Sequence, residues 1–312
     1  MSQDKKILVT GGCGQLGVFV VNRLVEEGYE LVVLDKSLPN SDTHVIFQKG
    51  KVKFYPCDLL HEDEVRNLSR ELNQIQCAIH LASMVDGSVD VLGSAVASIK
   101  LNVLATINLL SLVPHLRHFV YASSMMVYGY PQLTPLPERH PTEPTNIYGV
   151  AKLAAEKYLH VYALQQKVKT TVLRLSSLYG PGQYSEGNRN RVIPLFSRKI
   201  RNGEPLTIFP GDEEEIRDYL HLNDAARAFV LAVQKSEGGV FNIGSGRGIS
   251  IRDLVETMVH LSKREVRCQM GDRRPSKPAN YTLDITKAKN VLGFESRIPI
   301  QHGLKEEIQA SA

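Results

Sequence analysis

Residues 6–35 read KILVTGGCGQLGVFVVNRLVEEGYELVVLD. Ile7, Leu8 and Val9 form a short apolar run of the kind that makes a buried strand, and it feeds directly into Gly11-Gly12-Cys13-Gly14-Gln15-Leu16-Gly17. Leu16, Val20, Leu24 and Val25 then recur at helical spacing as far as Gly28, after which Leu31 to Leu34 form a second apolar run closing on Asp35. Strand, glycine loop, helix, strand and acid in this order fit a bound dinucleotide. Glycines at 11, 14 and 17 permit a tight turn, a close backbone approach to a pyrophosphate, and tight packing of helix on sheet. The N–H groups that open the helix, at Gln15, Leu16 and Gly17, direct partial positive charge at the phosphates. Asp35 lies 18 residues after Gly17, where a carboxylate accepts from ribose hydroxyls and repels a 2′-phosphate, so NAD is expected over NADP. Lys36 beside it softens that preference.

The alternation continues down the chain. A third strand is expected at 52–56, ending near Asp58-Leu59, with Asp58 placed either at an adenine edge or as the cap of a helix over 62–72. The fourth strand, 75–81, closes on Leu81-Ala82-Ser83, small enough for close approach of a cofactor; His80 reads as structural. A long helix over 94–113 carries Ile99, Val103, Ile107 and Leu110 on one face, and a fifth strand at 119–122 runs into Ser123-Ser124. A helix from Tyr148 to about residue 166 and a strand at 170–176 follow. This rhythm implies an α/β fold with a doubly wound parallel sheet, in which ligands bind at the carboxyl ends of the strands. After Tyr179-Gly180 the rhythm breaks. Residues 1–177 are expected to form the cofactor domain, 216–243 to return to it, and 178–215 with 244–312 to form a smaller discontinuous α/β substrate lobe. Arg191, Arg217, Arg273 and Arg274 sit at loops or strand ends, suited to bidentate contacts with an anionic substrate.

Composition narrows the classes. The 312 residues carry a net charge of +4 without a basic arm or stripe, which argues against a nucleic-acid partner. No apolar stretch reaches the ~20 residues of a membrane span and no signal sequence opens the chain, so a cytoplasmic protein with no membrane partner is expected. Cys13, Cys57, Cys77 and Cys268 are scattered without a C-x-x-C pair, so neither a metal site nor a disulfide framework is expected.

Tyr148 and Lys152 are four apart on the expected helix, so the phenol and the ammonium lie on one face and can address one bound molecule. A fixed cation nearby favours the phenolate and brings tyrosine toward the range of a general base. Ser124, delivered from a strand end, can hydrogen-bond the same substrate hydroxyl.

These stretches resemble the extended short-chain dehydrogenase/reductase family, in particular its nucleotide-sugar epimerase and dehydratase branch. The similarity rests on 10–17 (TGGCGQLG), Asn102-Val103-Leu104-Ala105-Thr106-Ile107-Asn108-Leu109-Leu110, Ser123-Ser124 before Val127-Tyr128-Gly129, the Tyr148/Lys152 pair, Arg217-Asp218-Tyr219-Leu220-His221, Phe241-Asn242-Ile243-Gly244 and Asp284-Ile285-Thr286-Lys287-Ala288. The resemblance implies a Rossmann domain holding NAD, with Asn102 near the cofactor. It implies Tyr148 as base at the C4 hydroxyl of a nucleotide-activated sugar, assisted by Ser124 and Lys152, with Ser123, Ser177, Arg191, Arg217, Arg274 and Tyr281 toward the substrate. Dehydratases of the branch carry an Asp-Glu pair, and decarboxylases a Glu, where Met125 and Met126 stand here; neither methionine can transfer a proton. C4 epimerisation of the UDP-glucose/UDP-galactose type is therefore expected, with a 4-ketoreductase and a non-catalytic dinucleotide sensor or scaffold as the other readings. Tyr281 lies where 4-epimerases gate the C2 substituent, and Ser177 and Arg191 replace asparagines. The resemblance also implies a homodimer through the helices of Asn102 and Tyr148.

Overall fold

Seven apolar runs pair side by side as one parallel sheet. They are β1 (Lys6–Thr10), β2 (Glu30–Asp35), β3 (Val52–Pro56), β4 (Cys77–His80), β5 (His118–Ser124), β6 (Lys169–Leu175) and, from late in the chain, β10 (Gly239–Ile243). Their order is β3-β2-β1-β4-β5-β6-β10, so the chain reverses direction across the sheet between β1 and β4. That switch point is where a doubly wound sheet opens a crevice at its carboxyl edge. The structure, a computed structural model, describes residues 6–39, 50–84, 91–182, 191–272 and 278–310. Arg273 and Arg274 lie outside the described residues.

Because successive strand side chains face opposite ways, the sheet has two apolar faces. Ile7, Val9 and Val33 pack with α1 (Gln15–Glu26) and with Phe229 of the helix Leu222–Lys235. Leu8, Val32, Phe119 and Tyr121 pack on the other side with Ala105 and Leu109 of the helix 91–112, called α2, and with Ala155 and Leu159 of α3 (Ile147–Gln166). Between 62 and 72 the expected single helix is two short pieces, Glu62–Arg66 and Ser69–Leu72.

Helix α2 departs from its expected face. Its middle turn, Lys100–Leu104, is a π turn, and the extra residue shifts the phase of everything around it. Val103 and Leu110 are buried, whereas Ile99 is 56% and Ile107 36% exposed. Within α2, the 21 residues Leu92–Leu112 are long and apolar enough to cross a membrane by length and composition, against the expectation that no stretch would be. Ser98, Asn102, Thr106 and Asn108 of this helix are buried, and Asn102 and Asn108 hydrogen-bond to backbone carbonyls of Met84 and Leu59.

The second lobe is built on β9 (Ile216–His221), which pairs with β7 (Ser177–Tyr179), β11 (Gly248–Ser250) and β13 (Asn280–Tyr281). β8 (Leu206–Ile208) and β12 (Cys268–Met270) form a separate pair. The sequence places 216–243 with the main sheet, but only 222–243 go there. Asp218 explains the difference: fully buried, its carboxylate accepts from Ser245 N and Oγ at 2.7 Å, from Gly246 N at 3.0 Å and from Leu283 N at 3.3 Å. Those donors come from lobe segments, and no site in an apolar parallel sheet supplies them. Asp218→Ala leaves buried N–H groups unpaired, and a loss of about 3 kcal/mol is expected from the urea midpoint, with Asp218→Asn intermediate.

Candidate active site

The glycine loop leaves β1 at the switch point. Gly11 has φ of 73° and a Cβ there would stand 2.5 Å from the Ala82 nitrogen, so the loop and the segment after β4 touch backbone to backbone. Helix α1 starts from Gly14 with no capping side chain, which leaves its first N–H groups free for anionic oxygens. Gln15 Nε2 donates to the Gly180 carbonyl at 3.3 Å and ties this loop to the start of the lobe. Asp35 closes the cradle at the end of β2. Its Oδ2 accepts from Cys13 N and its Oδ1 from Ser37 N, each at 2.9 Å, while Lys36 is exposed. These features fit a dinucleotide: a pyrophosphate over the loop and a ribose against the acid. Asp58 accepts from Leu60 N at 3.0 Å in a local turn, and His61, not Asp58, occupies the cap position of the following helix. Leu59 is buried, and its carbonyl is held by Asn108 Nδ2 at 3.1 Å.

Across the switch point, Asn102 fixes the segment Leu81-Ala82-Ser83-Met84. Its Oδ1 accepts from Ser83 Oγ at 2.6 Å and from Met84 N at 3.3 Å, and its Nδ2 donates to Met84 O at 3.1 Å and to Ser98 Oγ at 3.0 Å.

Ser124, Ser83 and Arg191 all act on the Tyr148 phenol. Ser83 and Ser124 both favour the phenolate of Tyr148. Ser124, at the end of β5, also accepts from Met126 N at 3.2 Å. Burial raises the Tyr148 phenol above its ordinary value, and the Arg191 charge pulls in the opposite direction. Lys152 is buried beside this site. Its Nζ, on a residue 1% exposed, donates to Ala122 O at 2.8 Å and lies 5.7 Å from the Tyr148 ring centre. Burial lowers its own pKa to about 7, partly offset by Glu156.

Ser123 stands apart from its neighbour. It is 2% exposed, and its hydroxyl donates to Glu156 Oε1 at 2.5 Å, so it serves a buried network and not the open site. Glu156 is held by Arg174 through Nε at 3.0 Å and Nη2 at 2.6 Å. Glu156 is legible in hindsight because it follows Lys152 by four residues on the same helix face. On the lobe, β13 sets Tyr281 beside Arg217 and β7 sets Ser177 beside Tyr219. Arg217 and Tyr219 are two apart on β9, so Ser177, Arg217 and Tyr281 share one sheet face. Arg217 Nε donates to Glu215 Oε1 at 2.5 Å. That partner was absent from the sequence reading, although a residue two positions away at a strand end is a recognisable signal. Met125 is buried with Val127, Tyr128, Leu136 and Leu283, and Met126 packs against that cluster.

A lysine whose pKa is lower folded than unfolded binds fewer protons in the native state, so its contribution makes stability rise with pH between those values. With Lys152 near 7 in the fold and near ~10.4 unfolded, the thermal midpoint of the ligand-free protein should rise relative to that of Lys152→Met from neutral pH to about pH 10. A scanning-calorimetry series over that range checks the sign; a constant gap would show that Lys152 is not held neutral.

Comparison with known proteins agrees with this geometry. The model of the NAD dependent epimerase/dehydratase family matches residues 7–244. The UDP-glucose 4-epimerase of Bacillus subtilis is 31% identical over 96% of this chain and 94% of its own length. The crystal structure of UDP-glucose 4-epimerase from Thermotoga maritima with UDP-glucose is 31% identical, with a TM-score of 0.86 over 97% of both chains. That of the Thermus thermophilus enzyme in complex with NAD is 29% identical, with a TM-score of 0.84 over 97% of both. With its glycine cradle, its acid at the end of β2 and a family match over most of its length, the chain belongs to the NAD dependent epimerase/dehydratase family.

Proposed function

We propose that the protein is an NAD-dependent nucleotide-sugar 4-epimerase acting on a UDP-hexose of the glucose/galactose type. The observation that carries this reading is that Ser124, at the carboxyl end of β5, acts on the Tyr148 phenol, with a methionine cluster where a second acid would have to stand. Tyr148 as phenolate takes the proton from the sugar C4 hydroxyl and returns it after the sugar has turned over. Ser124 hydrogen-bonds the same oxygen and holds it at the phenol. Lys152 releases Ala122 O to meet the nicotinamide ribose. When bound, NAD supplies the acceptor and donor of the C4 hydride. Met125 and Met126 offer no proton to a leaving group, so the keto sugar is neither dehydrated nor decarboxylated.

Arg217, Arg191 and Arg274 are proposed to hold the diphosphate, Ser177 the nucleotide side of the substrate, and Tyr281 to favour plain hexoses over N-acetyl sugars. Gly11, Gly14, Gln15, Leu16 and Gly17 receive the pyrophosphate; Asp35 and Lys36 border the adenosine ribose, Asp58 and Leu59 the adenine. Leu81, Ala82, Ser83 and Asn102 line the nicotinamide side. The chain as purified, incubated with UDP-glucose, UDP-galactose, UDP-glucuronate and the N-acetyl counterparts, should interconvert a C4 pair without net NADH. Tyr148→Phe should reduce that rate by about 10²- to 10⁴-fold with NAD affinity retained. No turnover of any sugar with NAD bound would overturn the assignment.

A homodimer is also proposed. Leu92, Val96 and Ile99 of α2 and Tyr158, Val161 and Leu164 of α3 are exposed, and α2 packs along α3. Two such helix pairs back to back would cover this apolar face. Sedimentation should give a dimer for the native chain and a monomer for Val161→Glu/Leu164→Glu; a native monomer would refute it. A reducing, cytoplasmic setting agrees with four free cysteines.

A further inference from the structure

We infer that Arg174 is a positioning residue for Lys152: by occupying both carboxylate oxygens of Glu156 it withholds that anion from the lysine one helical turn earlier, and leaves the lysine on a neutral carbonyl that a ligand oxygen can replace. Lys152 and Glu156 are four apart on α3, the spacing at which a helix brings a cation and an anion together. Both are buried, where little water screens their attraction. Among the described residues, however, the ion pair of Glu156 is with Arg174 and not with Lys152. Lys152 Nζ donates to Ala122 O at 2.8 Å and stands 4.8 Å from the Tyr121 ring centre. Glu156 is engaged on its other side. Its Oε1 accepts from Ser123 Oγ at 2.5 Å and from Arg174 Nε at 3.0 Å, and its Oε2 accepts from Arg174 Nη2 at 2.6 Å.

The sheet fixes Arg174 for this task. Its register partner on β5 is Ser123, so both side chains leave the sheet on the face that α3 covers. Its Nη1 donates to Glu138 O at 3.3 Å, and its guanidinium lies 4.8 Å from the Tyr128 ring centre. A planar fork anchored in this way meets the carboxylate at two points, which an ammonium on a flexible stem does not. The titratable groups around Lys152 are Tyr148 and Glu156 on its own helix and Tyr121 on β5, behind which stacks His80 of β4, a ring that burial keeps neutral. Glu156 is the one carboxylate among them, so its engagement decides whether the lysine has an anion to pair with. Pulling a lysine out of a buried ion pair is costly. Exchanging one neutral oxygen acceptor for another is not. Burial lowers the Lys152 pKa to about 7 even with Glu156 one turn away, in keeping with a carboxylate already neutralised by another cation. The consequence for the cofactor rests on Lys152 meeting the nicotinamide ribose as proposed above; the competition for Glu156 does not.

The test is a titration of Lys152 itself. In the full-length chain labelled with 13Cε-lysine, the resonance missing from Lys152→Met identifies it. Arg174→Met frees the carboxylate, and the Lys152 pKa should rise by about one to three units as Glu156 turns to it, the effect of an opposite charge at close range. Arg174→Lys, which keeps the charge but loses the fork, should shift it in the same direction by less. Arg174→Met/Glu156→Gln has no carboxylate to release and should show no rise. A Lys152 pKa unchanged or lowered in whichever single variant folds overturns the inference, as does an equal rise in the double variant. NAD affinity should fall about two- to tenfold in Arg174→Met, the size of one hydrogen bond, and recover in the double variant. A raised Lys152 pKa with native NAD affinity would leave the role of Arg174 toward Glu156 standing and defeat the assignment of Lys152 to the ribose.

Discussion

Everything at the cofactor side depends on how closely the backbone after β1 approaches the backbone after β4. Thr10 and His80 are register partners, and immediately beyond them Gly11 meets Ala82 with no room for a Cβ. A chain of side chains keeps that approach fixed. Burial lowers the His80 pKa to about 3, so the ring is neutral, with one nitrogen donating and one accepting. Thr106 Oγ1 spends its proton on the Asn102 carbonyl at 3.0 Å, so it must accept from His80 Nε2 at 2.9 Å. His80 Nδ1 is then the acceptor for Thr10 Oγ1 at 2.6 Å, and Thr10 in turn accepts from Ala82 N at 3.4 Å. One consistent direction of donation runs from the glycine strand through His80 to the π turn that carries Asn102.

Behind the catalytic side lies a second constraint. Glu156 and Arg174 form a buried bidentate pair, with Ser123 on Glu156 and the Arg174 guanidinium 4.8 Å from the Tyr128 ring. Removing one member of such a pair strands a charge at a cost of about 3–5 kcal/mol. The pair also decides how β5 presents its last residues. Adjacent strand side chains point to opposite faces, so a serine committed to Glu156 leaves its neighbour, Ser124, facing Tyr148.

Where local chemistry dictates structure, the sequence was readable. The unit from Lys6 to Asp35 could be inferred from apolar runs, three glycines and a terminal acid, and α3 from Tyr148 to about residue 166; the structure starts α3 at Ile147, capped by the Asn146 side chain at Gly149 N. Ser124 and Arg191, both singled out from the sequence, act on the Tyr148 phenol. Features that depend on distant partners were not legible. The π turn at 100–104 has no composition of its own, and the partners of Asn102 and Thr106, Met84 and His80, lie 18 and 26 residues away in the chain. β9 looks like any core strand until Asp218 finds its donors 27 to 65 residues further along. Ser83 reads as a small spacer, and only the three-dimensional placement of Asn102 gives its hydroxyl a direction.

The charges of the ligand-free site point to one electrostatic arrangement. Lys152 is buried and depressed toward neutrality, Tyr148 is raised by burial, and Arg217 is matched by Glu215. Glu215 takes the Nε side of Arg217, which leaves the two terminal nitrogens of the fork for another planar or tetrahedral anion. The carboxylate therefore orients the guanidinium without exhausting it. In the proposed reading, a substrate diphosphate held by Arg217 and Arg191 would add negative charge near the cation whose field lowers the Tyr148 pKa. Its own neutralisation by Arg191 would relax that field and favour the protonated phenol. Forming the phenolate then requires a compensating positive charge next to the ring. Lys152, 5.7 Å from the Tyr148 ring and with its pKa lowered by burial, would be the group in position to supply it.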